Sequence, residues 1–143
     1  MERVKFTIPG EPCGKGRPRF IKDSGRAYTP GKTALYENLV RLEYQTQCGG
    51  AKFQDGEMLD MRIQAYYRIP QSKSKKQKAM MEAGVIRPTK KPDMDNIVKV
   101  VADSLNNLAY SDDTQIVDCQ VRKFYSHDPR VVVIIQRIGG DDG

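Results

Sequence analysis

The sequence predicts an α+β fold: a single domain over residues 1–143, with one mixed four-stranded sheet and about three helices in the order β-α-β-α-α-β-β. Three observations predict it. Residues 4–8 and 59–69 alternate apolar and polar side chains with the period of two that a half-buried strand requires. Residues 35–48 and 95–108 repeat apolar side chains every three or four positions, the spacing that gives a helix one buried face. The chain closes with two apolar runs around a short polar turn, and no internal repeat, low-complexity tract or linker divides it.

The elements follow in order. In RVKFTIP, Val4, Phe6 and Ile8 alternate with Lys5 and Thr7, and the strand ends at Pro9. GEPCGKGRPRFIKDSGRAY is rich in Gly, Pro and basic residues and has no periodicity, so it reads as a long basic loop whose glycines let backbone approach a partner. A helix starts near Thr29-Pro30, with Thr as cap and Pro in the first turn, or near Thr33; Leu35, Leu39 and Leu42 are its apolar stripe, through about Cys48. MLDMRIQAYYRIP is the clearest strand, with Leu59, Met61, Ile63, Ala65, Tyr67 and Ile69 on one side and Asp60, Arg62, Gln64, Tyr66 and Arg68 on the other. SKSKKQKAMMEAG is a short basic helix capped by Ser72 or Ser74 and stopped by Gly84. Lysines at its start oppose the helix dipole, so they form either a solvated face or a phosphate contact. The third helix runs from about Asp95 to Leu108, and YSDDTQ is a turn. QIVDCQVRKFY and RVVVIIQRI are strands joined through SHDP as a hairpin, and residues 139–143 are a frayed, disordered tail.

Charge and cysteines narrow the function. Lys plus Arg number 24 against 18 acids, a net +6 that draws polyanions, nucleic acid first among them. Cys13, Cys48 and Cys119 are widely spaced and include no CxxC pair, which argues against a disulfide framework and a zinc knuckle and fits a reducing compartment. The N-terminus is too charged for a signal peptide, and no apolar run approaches the roughly 18 residues of a membrane span, so the expected location is cytoplasmic with no membrane partner.

The acids carry the chemistry. At about 100° per residue, Ile97, Val101, Leu105 and Leu108 share one arc of the third helix, and Asp95, Asn96, Lys99, Asp103 and Asn106 gather on the other. Lys99 is the i,i+4 neighbour of both Asp95 and Asp103, so its ammonium can lie between two carboxylates. Asp is a common helix cap, but a cap needs one acid, whereas Asp93 and Asp95 precede this helix and Asp112-Asp113 follow it. Carboxylates brought together repel unless a cation compensates. Mg²⁺, which takes one or two carboxylates, waters and phosphate oxygens, suits such a set. It would lower the pKa of a bound water and polarise a scissile phosphate, with Lys99 stabilising charge on the transition state or helping to handle the proton. Caps and turns are the competing account of the same acids. His127, in SHDP, reads as a solvated turn residue rather than a general base.

Residues 91–123, KPDMDNIVKVVADSLNNLAYSDDTQIVDCQVRK, resemble the signature block of the RusA family of crossover junction endodeoxyribonucleases, the Holliday junction resolvases. The block combines P-D-x-D-N, a lysine four residues after the second Asp, a D-x-L-N helix end and D-D-x-Q-I. FTIPGEPCGKGRPRF also resembles the first strand and basic loop of bacterial and prophage members, while residues 30–90 match only loosely. The resemblance implies a small homodimeric nuclease that depends on Mg²⁺, with Mn²⁺ as a substitute, and nicks four-way DNA junctions symmetrically in recombination and repair. By the motif, Asp93 and Asp95 correspond to the essential acidic pair, Asp113 to the third acid, with Asp112 beside it, and Lys99 to the essential lysine. Many members have Gly where this chain has Asn107, and Asn also tolerates the left-handed conformation of a helix stop.

Two opposed cuts in a twofold-symmetric junction need two sites, which a dimer supplies. Phosphate contacts are expected from Lys15, Arg17, Arg19, Lys22 and Arg26, with Lys73, Lys75 and Lys76 as a second patch. Phe20 and Tyr28 are candidates for stacking on unpaired bases. The rival readings are a nuclease for flaps or forks, and a non-catalytic DNA-binding or phage replication accessory protein in which the acids are caps and turns.

Overall fold

The computed structural model describes residues 1–15, 19–21, 26–28 and 31–139. In chain order the elements are β1 (Arg3–Pro9), β2 (Arg19–Ile21), β3 (Arg26–Tyr28), α1 (Gly31–Cys48), β4 (Leu59–Arg68), α2 (Lys75–Glu82), α3 (Met94–Ser104), β5 (Ile116–Ser126) and β6 (Arg130–Arg137). Four strands form one mixed sheet in the order β1-β6-β4-β5, antiparallel except for the β4–β5 pair. With the three helices this is the α+β architecture the sequence predicts. Among the described residues, no helix is long and apolar enough to cross a membrane.

β4 keeps the alternation read from its sequence: Leu59, Met61, Ile63, Ala65 and Tyr67 enter the core and the residues between them face the other way. On the core face, Val40 and Tyr44 of α1 and Ile97, Val100 and Val101 of α3 close over these strands, joined by Leu105 just beyond α3.

Four expectations are corrected. β5 and β6 are not a hairpin, because β4 lies between them. A short polar turn signals that the chain reverses, not which strand becomes its neighbour; three residues can span two strand spacings of about 4.8 Å. β6, nearly all apolar, takes an interior place, and the more polar β5 takes the edge. On α1, Leu35 and Leu42 are 72% and 57% exposed, and the buried face is Thr33, Val40 and Tyr44. That face lies about 180° around the helix from the leucines. It is held by Tyr44, whose ring meets Phe6 edge-on at 5.3 Å and whose hydroxyl donates to the Ala51 carbonyl at 2.5 Å. The expected basic loop contains the small antiparallel pair β2–β3. The Thr29-Pro30 start of α1 and residues 140–143 of the tail lie outside the described residues.

The fourth correction concerns α3, which stops at Ser104 rather than Leu108. Asn107 has φ 65°, and the following turn is closed by its N–H on the Tyr110 carbonyl at 2.8 Å. The hydroxyl of Tyr110 donates to the Ala102 carbonyl at 2.8 Å, fastening the turn to the helix it follows. α2 starts at Ser74 through a reciprocal capping box with Gln77 and ends before Gly84, whose φ is +79°.

The start of α3 is clamped from two sides. The Tyr67 hydroxyl donates to the Pro92 carbonyl at 2.6 Å from the β4 side. From the other side, the Lys15 N–H donates to the Asn96 carbonyl at 3.2 Å, and Gly14 lies so close that a Cβ there would stand 2.9 Å from Pro92 Cβ and 3.1 Å from Asn96 Cβ. The glycine-rich segment thus brings its backbone against its own chain. Gly14→Ala is expected to destabilise the fold by about 1–3 kcal/mol, the usual cost of overpacking a close contact. An unchanged midpoint of thermal unfolding would contradict this clamp.

Candidate active site

α3 positions the first acids. Asp93 holds the N-cap backbone position, with φ −80° and ψ 169°, yet its carboxylate makes no capping hydrogen bond. Asp95 projects from the first turn and is exposed, and Lys99 is exposed one turn later. The expected placement of Lys99 between Asp95 and Asp103 does not occur: among the described residues Lys99 makes no ion pair. Asp103 is taken by Lys15, whose ammonium lies 3.3 Å from it and 2.7 Å from Glu37. All three side chains are at most 31% exposed, so this bridge is less screened than an exposed pair along one helix face.

The turn after α3 separates its two acids by role. Asp112 accepts a hydrogen bond from the Thr114 N–H at 3.2 Å and caps the single 3-10 turn Asp113–Gln115, whose Gln115 side chain reciprocates. Asp113 donates its backbone N–H to Asn106 Oδ1 at 2.8 Å, and its carboxyl lies near those of Asp112 and Asp103. Burial, then hydrogen bonds to Asp112 and Asp103, then the charges of those two acids push the Asp113 carboxyl up to about 6.

Asp95, Lys99, Asp103 and Asp113 all border one open cleft of about 760 Å³. Its apolar lining comes from Met94, Val98 and Ala102 of α3 and from Ile116 and Val121 of β5, with Cys119 at the strand edge. Asp93 lies outside this lining, on the side of Tyr67 and Lys123. Burial, followed by the charges of Glu11 and Asp93, pushes the Tyr67 phenol up to about 12. Burial lowers the Lys123 ammonium, against the opposing pull of Asp93.

The donor set is one a hard divalent ion would choose, all carboxylate oxygen, and the raised Asp113 marks negative charge in want of a cation. Among the described residues no three of His, Cys, Asp or Glu stand close enough to share one ion. The arrangement therefore fits an ion held by one or two carboxylates and completed by water and substrate oxygen.

Of the expected DNA contacts, Lys73, Lys75 and Lys76 are exposed around the start of α2, whereas the Lys15 ammonium faces Glu37 and Asp103. Arg17 and Lys22 lie outside the described residues, as do the side chains of Arg19, Phe20, Arg26 and Tyr28. His127 is exposed, 3.5 Å from Glu82. Sequence reasoning placed Asp103 on the polar face of the helix without assigning it to the site, and it missed Glu37, which no local motif marks.

Acids and a lysine around one cleft, in a basic α+β chain, are the equipment of a nuclease. The family model for endodeoxyribonuclease RusA matches residues 9–136, and the chain belongs to that family. A relative from Bacillus subtilis (strain 168), the uncharacterized protein YqaN, is 42% identical over 142 residues, covering 96% of this chain and 99% of the relative. Nucleases of the family are generally dependent on a divalent metal and act on branched DNA junctions.

The raised Asp113 gives a signed prediction. Below about pH 4 the carboxyl is protonated in both folded and unfolded chains; between there and about pH 6 only the unfolded chain releases its proton, so this group's contribution to stability falls as pH rises. In EDTA at pH 7, Asp113→Asn should therefore melt above the parent, with the gap closing near pH 4. A variant that melts below the parent at pH 7 would refute the electrostatic account.

Proposed function

We propose that this protein is a Mg²⁺-dependent endonuclease, able to use Mn²⁺, that works as a homodimer and resolves four-way DNA junctions by paired symmetric nicks. Its setting is recombination and repair in the cytoplasm of a bacterial or prophage-bearing cell, with the chain acting as one nuclease domain. The observation that carries this reading is the meeting of Asp103 and Asp113 in a cleft that Asp95 and Lys99 also border. Membership of an endodeoxyribonuclease family supports it.

One or two of the cleft carboxylates, Asp95 and Asp113, would hold the ion, and Asp93 adds negative charge at the start of the same helix. Mg²⁺ bound there supplies Lewis-acid polarisation of the scissile phosphate and a more acidic water. Lys99, free of ion pairs among the described residues, places its ammonium where charge builds on the phosphate oxygens. Lys73, Lys75 and Lys76 provide mobile positive charge for the phosphates of an arm. Because a junction is twofold symmetric, two copies of one site deliver the two opposed cuts.

The test incubates the protein with a four-way junction or a matched linear duplex, in Mg²⁺ or in EDTA. Junction cleavage should require Mg²⁺. Asp95→Asn, Asp113→Asn and Lys99→Ala should each lower the cleavage rate on the order of 10²-fold or more. Junction affinity should be retained in all three, and tightened in the Asn variants, where repulsion between carboxylate and phosphate is relieved. Full activity in Asp95→Asn would favour a non-catalytic DNA-binding protein, and equal digestion of both DNAs would remove the junction from the assignment.

A further inference from the structure

The face of the sheet opposite the core is also charged. In register across β4 and β5, Arg62 lies beside Gln120, Gln64 beside Arg122 and Tyr66 beside Phe124, all pointing away from the core. β6 adds Arg130 beside Tyr66, and β1 adds Lys5 beside Ile134, which is itself paired with Arg62. The acids set into this face are Asp60, which holds Arg62 at 3.1 Å, and Asp118.

Two of the cations are fixed in place. The Arg130 guanidinium lies 3.9 Å over the Tyr66 ring and donates to the Asp128 carbonyl at 2.8 Å and to Ser126 Oγ at 3.2 Å. The Arg87 guanidinium lies 4.5 Å over Phe124 and donates through Nε to the Lys123 carbonyl at 2.8 Å. The two rings stack on each other at 5.5 Å. Rings already engaged by guanidinium groups and by each other are poor platforms for a base. Their effect is to hold planar cations whose remaining donors match phosphate oxygens, at a small cost in side-chain freedom.

Charge also selects the occupant. The face carries Arg62, Arg87, Arg122, Arg130 and Lys5 against Asp60 and Asp118, a net positive charge that a polyanion complements better than a second copy of the same face does. The location narrows it further. Cys119 of the edge strand β5 lines the acidic cleft and also the groove formed by Asp60, Arg62, Asp118 and Arg122. One strand is therefore the wall between the two surfaces. A DNA branch at the edge strand could send one arm along each side of that wall, an arrangement a linear duplex does not offer.

We propose that the outer sheet face, around Arg62, Arg87, Arg122 and Arg130, binds the phosphates of a second arm of the branched DNA whose first arm lies in the acidic cleft. This rests on the junction-nuclease reading and adds a basis for its selectivity, since phosphates held on both sides of β5 reward a branch and not a linear helix.

The test measures binding by the full-length protein in EDTA, where cleavage is off, comparing the parent with the double variant Arg62→Gln/Arg122→Gln. Both side chains are exposed, and matching thermal unfolding midpoints establish that the variant is folded. Junction affinity should fall on the order of tenfold near 0.1 M salt, the slope of log K against log salt should shrink by about two, and affinity for linear duplex should change less than about twofold. Equal losses on both DNAs, or no loss on either, overturn the outer-face proposal while a parent that prefers the junction keeps the nuclease reading intact. A parent that binds junction and duplex alike overturns junction selectivity and the second-arm site together.

Discussion

Asp103 and Asp113 border one cleft and act on each other electrostatically, and the character of the cleft depends on that closeness. Lys15 offsets part of the charge at Asp103, while burial and the two neighbouring acids raise the Asp113 carboxyl, so a divalent ion bound beside Asp113 would relieve a local excess of negative charge. The supporting structure is local. α3 supplies one acid, the tight turn through Asn107 returns the chain within nine residues, and the single 3-10 turn presents the second. Lengthening that return by a residue would rotate Asp113 away, which is a physical reason for the left-handed stop at Asn107 and for the hydrogen bond that fastens Tyr110 to Ala102.

The segment after β1 makes a second contribution by a different route. Gly14 and Lys15 lie across the start of α3, and Lys15 ties Asp103 of α3 to Glu37 of α1 through one ammonium. A residue that composition alone assigns to the DNA-facing loop thus also sets the orientation of an acid in the cleft. Any movement of the basic segment is passed directly to Asp103 and the cleft through this bridge.

Much of this was readable before any coordinates. Period-two alternation placed both faces of β4 correctly, because a strand with one apolar face has a single way to lie on a core. Of the motif residues expected to share a site, Asp95, Lys99 and Asp113 line one cleft while Asp93 lies outside its lining. Sheet order was not readable in the same way: a turn such as SHDP encodes a reversal, whereas the interior position of β6 follows from burial on both of its faces. α1 offered two apolar stripes, and the leucine stripe lost to Val40 and Tyr44 because the tyrosine finds an aromatic neighbour and a carbonyl partner that no local pattern announces. Glu37 and Lys15 are 22 residues apart, and only the folded chain reveals that they are partners.

The thiol on the wall between cleft and outer face has a practical side. Cys119 is exposed, yet partial burial and the neighbouring Asp60 charge push its pKa up, so little thiolate exists near neutrality and oxidation or alkylation is slow. Cys13 and Cys48 are also raised and less accessible. A maleimide dye applied under mildly alkaline conditions would settle mainly on that ridge, giving a native optical reporter of whatever passes on either side.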